Sequence, residues 1–261
     1  MSTTDRAPAA GGTPRPVDVF RALHHDRSAD DPLVLPGPWD AASARALVTA
    51  GFPALATPSA GIAASLGYED GSTPPAEMFA AVARIVRAVR PLGAPPVSAD
   101  VEGGYGLPPA ELVERLLETG VVGCNLEDTG PDGTLRDPRQ HADWLAEVRA
   151  AAGDRLFLNA RVDTFVRGVE DPAAAVERAR AYVAAGADCV YPILAPRSAL
   201  PVLRAGVDGP LNAVAEVTGP TDALRGSFRE LGGLGATRIT FGPGLLHRTT
   251  AALGDLATQL R

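Results

Sequence analysis

The sequence predicts a (β/α)8 barrel, an α/β fold of TIM-barrel type, on three observations. Short apolar runs recur eight times, and each is followed by a stretch with apolar residues at i, i+3 and i+4 spacing. The turn after the first run reads Gly37-Pro-Trp-Asp-Ala-Ala-Ser43, not the GxGxxG phosphate loop that marks a doubly wound open sheet. The length, 261 residues with 46% hydrophobic, suits one large core, placed at residues 17–261 with no internal linker.

The elements follow in order. Residues 1–16, rich in Ala, Pro and Thr, read as a disordered tail without the apolar core of a signal peptide. A leading helix over 17–23 would cap the bottom of the barrel. Strands are predicted at 33–35, 54–57, 96–101, 123–126, 156–162, 189–193, 211–214 and 238–241. Between them, helix 41–49 starts after Asp40 as N-cap and stops at Gly51, and helix 76–89 is closed by Arg90-Pro91. Helix 109–118 ends at Gly120, and another begins in the cap-then-proline order Asp171-Pro172 and runs to Ala185-Gly186. Further helices are expected over 139–151, 197–205, 221–231 and 244–260.

Composition removes several classes of function. The net charge of −7 and a pI near 5.1 argue against a nucleic-acid surface. No run of about 20 apolar residues exists, so no membrane span is expected. All 24 basic residues are arginine. Without a lysine there is no Schiff-base aldolase, no pyridoxal-phosphate enzyme and no Walker-type phosphate loop. Two cysteines, Cys124 and Cys189, lie inside apolar runs, which fits a reduced, cytoplasmic protein with no disulfide framework.

In a barrel of this kind the active site lies at the C-terminal ends of the strands. Those ends carry Thr57-Pro-Ser-Ala-Gly61, Asp100 and Glu102, Glu127-Asp128, Arg161 and Asp163, Pro192, Asn212 and Gly242-Pro-Gly244. Asp100 and Glu102, two apart, share one face of their strand and lead into the loop Gly103-Gly104-Tyr105-Gly106. Alone, the pair reads equally as solvated acids or as hard oxygen ligands for Mg²⁺, with Mn²⁺ a possible substitute. Beside Glu127 and Arg161 the divalent-metal reading is the stronger one.

Six ordered segments, at 39–71, 98–106, 120–129, 159–165, 180–192 and 237–244, carry a resemblance to the isocitrate lyase and phosphoenolpyruvate mutase superfamily. The resemblance implies that Asp100 ligates Mg²⁺ directly, while Glu102 and Glu127 hold metal-bound waters. Pairing with Arg161 is a structural role open to Glu127 at the same time. Arg161 is implied to grip a substrate carboxylate and enolate oxygen, and the backbone N–H groups of Ser59, Ala60 and Gly61 the other carboxylate. Gly103 and Gly104 form the loop over the substrate, and Tyr105 either reaches the substrate or anchors that loop. Asp70 is implied to support the site, although Glu69-Asp70 reads equally as a capping turn. Asn212 is expected to face a carboxylate, His141 to be solvated, and Cys124 to be core packing. Relatives also imply a homo-oligomer, dimer or tetramer, that can exchange the last helix.

Two departures matter. Family members carry a tryptophan or serine where this chain has Ala56 and Pro58. The lyases of the family carry a Lys-Lys-Cys-Gly-His or Lys-Arg-Cys-Gly-His loop where this chain reads LEDTGPDGTLRDPRQHADW, which is shorter and has no cysteine. The lysine and asparagine of the mutases are missing there too. The expectation is therefore a Mg²⁺-dependent carbon–carbon lyase or decarboxylase acting on a small 2-oxo or 2-hydroxy di- or tricarboxylic acid through an enolate. The alternatives are carbon–phosphorus chemistry, as in phosphonopyruvate rearrangement or hydrolysis, and a non-catalytic carboxylate binder.

Overall fold

Eight short strands form where the apolar runs place them, in a computed structural model that describes residues 13–25, 27–219 and 221–261. They are β1 (Leu33–Val34), β2 (Leu55–Thr57), β3 (Val97–Asp100), β4 (Gly123–Leu126), β5 (Phe157–Val162), β6 (Cys189–Pro192), β7 (Asn212–Val214) and β8 (Arg238–Thr240). Every pairing is parallel, in two sheets ordered β2-β3-β4-β5-β6 and β1-β8-β7. Two thinner seams curl these sheets into one ring. The Val190–Leu211 bridge joins β6 to β7, and Ala56 N–H donates to Pro36 O at 3.2 Å beside β1. All but β4 are one to two residues shorter than their apolar runs. Tilted barrel strands pair only where they overlap.

Helices follow the strands in the predicted alternation: α1 (Pro16–Leu23), α2 (Ala41–Thr49), α3 (Ser59–Leu66), α4 (Pro75–Val89), α5 (Pro109–Thr119) and α6 (Pro138–Ala152). After them come α7 (Pro172–Ala184), α8 (Leu200–Gly206), α9 (Thr221–Gly233) and α10 (Gly244–Gln259). Asp40 caps α2 as expected, accepting from Ser43 N–H at 2.7 Å in a reciprocal capping box. Of the expected tail, residues 1–12 lie outside the described residues, and Pro16 already opens α1.

One helix is a correction. Residues 59–61, read as loop, are the first turn of α3. Helix α3 shows no amphipathic stripe because Ser59, Gly61, Ile62 and Ala63 are all buried, so the 3.6-residue pattern is absent.

Strand alternation divides the core. On β5, Leu158, Ala160 and Val162 pack outward with Leu145, Val148, Val176 and Ala179 of the helices. Each such fully buried aliphatic side chain contributes about 1.5–3 kcal/mol. Phe157 points to the barrel floor, where Val17 and Phe20 of α1 join Leu33, Leu35, Ala54 and Cys189 in a second cluster. Helix α1 thus closes the bottom, as the sequence predicts, and leaves the other end open. Cys124 is core packing, its thiol pushed up to about 12 by burial. Among the described residues no helix is long and apolar enough to cross a membrane.

Helix α10 differs from the rest. None of its residues is buried, and residues 247–261 are exposed throughout.

Candidate active site

The open end holds a cavity of about 220 Å³ walled by Ser59, Ala60, Asp70, Asp100, Asn125 and Arg161. Its remaining wall is largely apolar, with Ala56, Pro58, Val166, Ile193, Leu194 and Pro243 beside Tyr191 and Thr240. Arg161 is the one cationic side chain on that wall among the described residues. Five of the sequence-derived site residues, Ser59, Ala60, Asp70, Asp100 and Arg161, therefore meet at one cavity.

Each is placed by a strand end or a helix start. Pro58 precedes α3 and offers no side-chain cap, so the first-turn N–H groups of Ser59, Ala60 and Gly61 have no helical partner. A helix start with free N–H groups favours an anion. Gly61 keeps that turn tight, since a Cβ there would lie 2.8 Å from Pro58 Cγ.

Arg161 at the end of β5 is held on two sides. Its Nε donates to Asp163 Oδ1 at 2.7 Å and its Nη2 to Asp163 Oδ2 at 3.1 Å, while Nη1 donates to Glu127 Oε1. Asp163 is itself fixed, because Thr129 Oγ1 donates to its Oδ2 at 2.6 Å and its N–H donates to Asp128 Oδ1 at 2.8 Å. Asp128 in turn accepts from Tyr182 at 2.7 Å and Arg178 at 2.9 Å. Asp163 stands at a strand end in the sequence, which alone assigns it no part in the site. Its signal is the i, i+2 spacing to Arg161, which puts both on one strand face.

The acids sit in a dry, crowded place. Burial pushes the Asp100 carboxyl up, with Arg161 opposing. Glu102 is pushed up to about 7 by burial and by the charges of Asp100 and Asp70. Burial, with Asp100 and Asp163 nearby, raises Glu127 to about 9 against the pull of Arg161. Burial also works against the charge of Arg161, yet Glu127, Asp100 and Asp163 outweigh it and raise its pKa. Three carboxyls raised together lack positive charge.

That deficit is the test of fit for Mg²⁺. Among the described residues no three His, Cys, Asp or Glu side chains converge into a ready-made cage. Mg²⁺ does not need one, because it keeps several waters and takes one or two carboxylates. Asp100 opens on the cavity, and the buried Glu102 Oε1 has no hydrogen-bond partner. The donor set is all hard oxygen, so the residues fit a hydrated divalent cation.

Other expected residues stand farther back. Glu102, Glu127, Gly103, Gly104 and Tyr105 do not line the cavity. Gly103 and Gly104 pack against Arg136 and Trp144, and Tyr105 sets its ring 5.9 Å from Phe79 with its hydroxyl buried and unpartnered. Asn212 does not reach the wall either. Its Nδ2 donates to Thr240 Oγ1 and Ala213 O, both at 2.9 Å, and its Oδ1 accepts from Asn159. His141 is buried rather than solvated, stacked 5.4 Å from Trp144, and burial lowers its pKa to about 3. After Glu127 the chain makes a short hairpin, bridged at Thr129 and Leu135, with Gly130 N–H donating to Thr134 O at 2.8 Å. The sequence alone assigns no role to Asn125 and Tyr191, each one residue inside its strand end, or to Thr240, the last residue of β8.

Comparison with known proteins bears on the family and the fold. The family model described as phosphoenolpyruvate phosphomutase matches residues 20–261. An uncharacterised Mycobacterium tuberculosis protein is 34% identical over 85% of this chain and 81% of its own. The Corynebacterium glutamicum protein named "Probable 2-methylisocitrate lyase 2" is 31% identical over 93% of this chain and 82% of its own. The solved structure of oxaloacetate acetylhydrolase with its product oxalate superposes with a TM-score of 0.81 at 25% identity, over 94% of this chain and 86% of that one. The named relatives include methylisocitrate lyases, a carboxyvinyl-carboxyphosphonate phosphorylmutase and the acetylhydrolase. The chain belongs to the phosphoenolpyruvate mutase and isocitrate lyase superfamily.

Proposed function

We propose that the chain is a Mg²⁺-dependent carbon–carbon lyase or decarboxylase acting on a small 2-oxo or 2-hydroxy di- or tricarboxylic acid. The observation that carries this reading is the cavity wall itself. It offers one rigid guanidinium, Arg161, and one helix start, α3, above Asp100, with apolar residues elsewhere. Arg161 would grip the planar 2-oxo or 2-hydroxy carboxylate end in bidentate fashion, and the N–H groups of Ser59, Ala60 and Gly61 the other carboxylate. Asp100 would hold Mg²⁺, with Glu102 and Glu127 holding its waters. Bound there, the ion supplies Lewis-acid stabilisation for negative charge on the 2-oxo oxygen. Arg161 adds a preorganised positive charge to the same enolate, because Asp163 and Glu127 keep it from turning away.

The test is to incubate the protein with Mg²⁺ and oxaloacetate, malate-type or methylisocitrate-type acids and to assay pyruvate, glyoxylate and oxalate. No product from any of them overturns the reading. A second reading, carbon–phosphorus chemistry, draws on the phosphomutase family model. Phosphorus NMR with phosphonopyruvate decides between the two. A non-catalytic binder would leave oxalate binding intact in Asp100→Ala without turning over any acid. We also infer a homo-oligomer in the cytoplasm, the former supported by the uncovered helix α10.

A further inference from the structure

Below the cavity the barrel buries a charge that the reading above does not use. Arg238 on β8 is 0% exposed and is the largest fully buried side chain. No carboxylate pairs with it among the described residues, and its Nε and Nη1 have no hydrogen-bond partner. Its one side-chain hydrogen bond among the described residues is Nη2 donating to Asn125 Oδ1 at 3.4 Å. Burying a guanidinium without a carboxylate is strongly unfavourable. A barrel interior that needed only filling would hold an aliphatic residue here.

The contact leads upward. Asn125 Oδ1 also accepts from Asn159 Nδ2 at 2.8 Å, so two donors claim the amide oxygen. The Asn125 nitrogen is then left to face the other way. On that side is Asp100, the strand neighbour of Asn125 in the β3–β4 register, and both residues line the cavity. The two faces of an amide are nearly isosteric, so hydrogen bonding decides which way it points. With the amide reversed, its oxygen would oppose the Asp100 carboxylate.

We propose that Arg238 is a positioning residue for the cavity floor: it locks the Asn125 amide with its oxygen downward, and through that amide holds Asp100 aimed at the mouth. The inference rests on the reading of Asp100 as the metal-binding carboxylate. The experiment therefore measures metal binding alone, by electron paramagnetic resonance of free Mn²⁺ against the intact protein. Wild type binds Mn²⁺ and Asp100→Ala does not. If wild type binds none, the metal reading falls and the inference with it.

Given wild-type binding, Arg238→Met weakens it about tenfold, the scale for outer partners of a ligand. Thermal stability does not fall, because an apolar chain replaces an unpaired buried charge. Arg238→Gln, which can still donate to Asn125, restores affinity to within about threefold of wild type. This variant also carries the test should Arg238→Met fail to fold. In an Asn125→Leu background, Arg238→Met produces little further loss. Unchanged Mn²⁺ affinity in Arg238→Met, losses that multiply in the double variant, or equal losses in Arg238→Met and Arg238→Gln would overturn the assignment while leaving the metal site standing.

Discussion

Arg161 can serve a planar carboxylate only while its guanidinium is held still, and Asp163 does most of the holding. Two of the five N–H donors go to Asp163, whose own carboxylate is fixed by Thr129. Asp163 is fully buried, so Asp163→Ala removes two of the buried charge-assisted bonds of Arg161, leaves Glu127 as its remaining ion-pair partner and destabilises the fold by about 3 kcal/mol. Calorimetry should show weaker oxalate binding in the milder Asp163→Asn as well. Wild-type oxalate affinity there would remove Asp163 from the site. The raised carboxyls make a second prediction. Glu102 and Glu127, at about 7 and about 9 in the metal-free fold, stand above their ordinary 4.5. The folded state then binds more protons than the unfolded one, so this stability is present below pH 4.5 and lost as pH rises through 7 and 9. Mg²⁺ replaces those protons. Its stabilising shift in Tm should be larger at pH 8 than at pH 6, and an equal shift at both would refute a site made by these acids.

At the scale of elements, a strand could be read in advance as a short apolar run between turns, and a helix where its burial was one-sided or its end capped. The eight strands and the helices α2, α4, α5, α6 and α7 each show an apolar face or a capped end, and the sequence places them within a residue or two. Helix α3 has neither, because it lies buried at the barrel mouth and begins without a side-chain cap. The same rule held for the site. Acids and Arg161 at strand ends were readable, since a charged residue closing an apolar run needs a reason. Asn125 and Arg238 sit deeper, where a polar residue inside a short strand carries no periodic signal. Asn212 and His141 were misplaced for the converse reason: their polar atoms are turned into the protein interior. The start of α3 supplies its own test. Gly61→Ala puts a methyl 2.8 Å from Pro58 Cγ, forcing the turn or the proline to move. Overpacking of this kind costs about 1–3 kcal/mol. Because the turn itself shifts, oxalate binding should weaken beyond what the lower Tm explains, whereas intact binding would take the α3 N–H groups out of the anion site.

Across the whole molecule, α10 is the element whose burial does not close. It follows β8 as an outer barrel helix should, yet contributes no buried residue and leaves Leu253 63%, Leu256 53% and Leu260 79% exposed. Beside its first turns a groove of about 1130 Å³, lined by Leu200, Val217, Leu231 and Phe241, stays open and shares Ile193, Leu194 and Pro243 with the candidate site. An apolar helix that leaves its own body, next to an open apolar groove, is what exchange between two copies requires. In that arrangement the exposed leucines are covered only in the assembly, so they add nothing to the stability of the single barrel. Leu253→Glu with Leu256→Glu should therefore convert an oligomer into a species near the 26.8 kDa chain mass, read by sedimentation velocity. The same double variant should keep its Tm, measured at concentrations where wild type is also dissociated, because exposed substitutions change stability by about 0.5 kcal/mol or less. A wild-type chain that sediments as a monomer at all concentrations would rule the exchange out, and so would an oligomer indifferent to both glutamates.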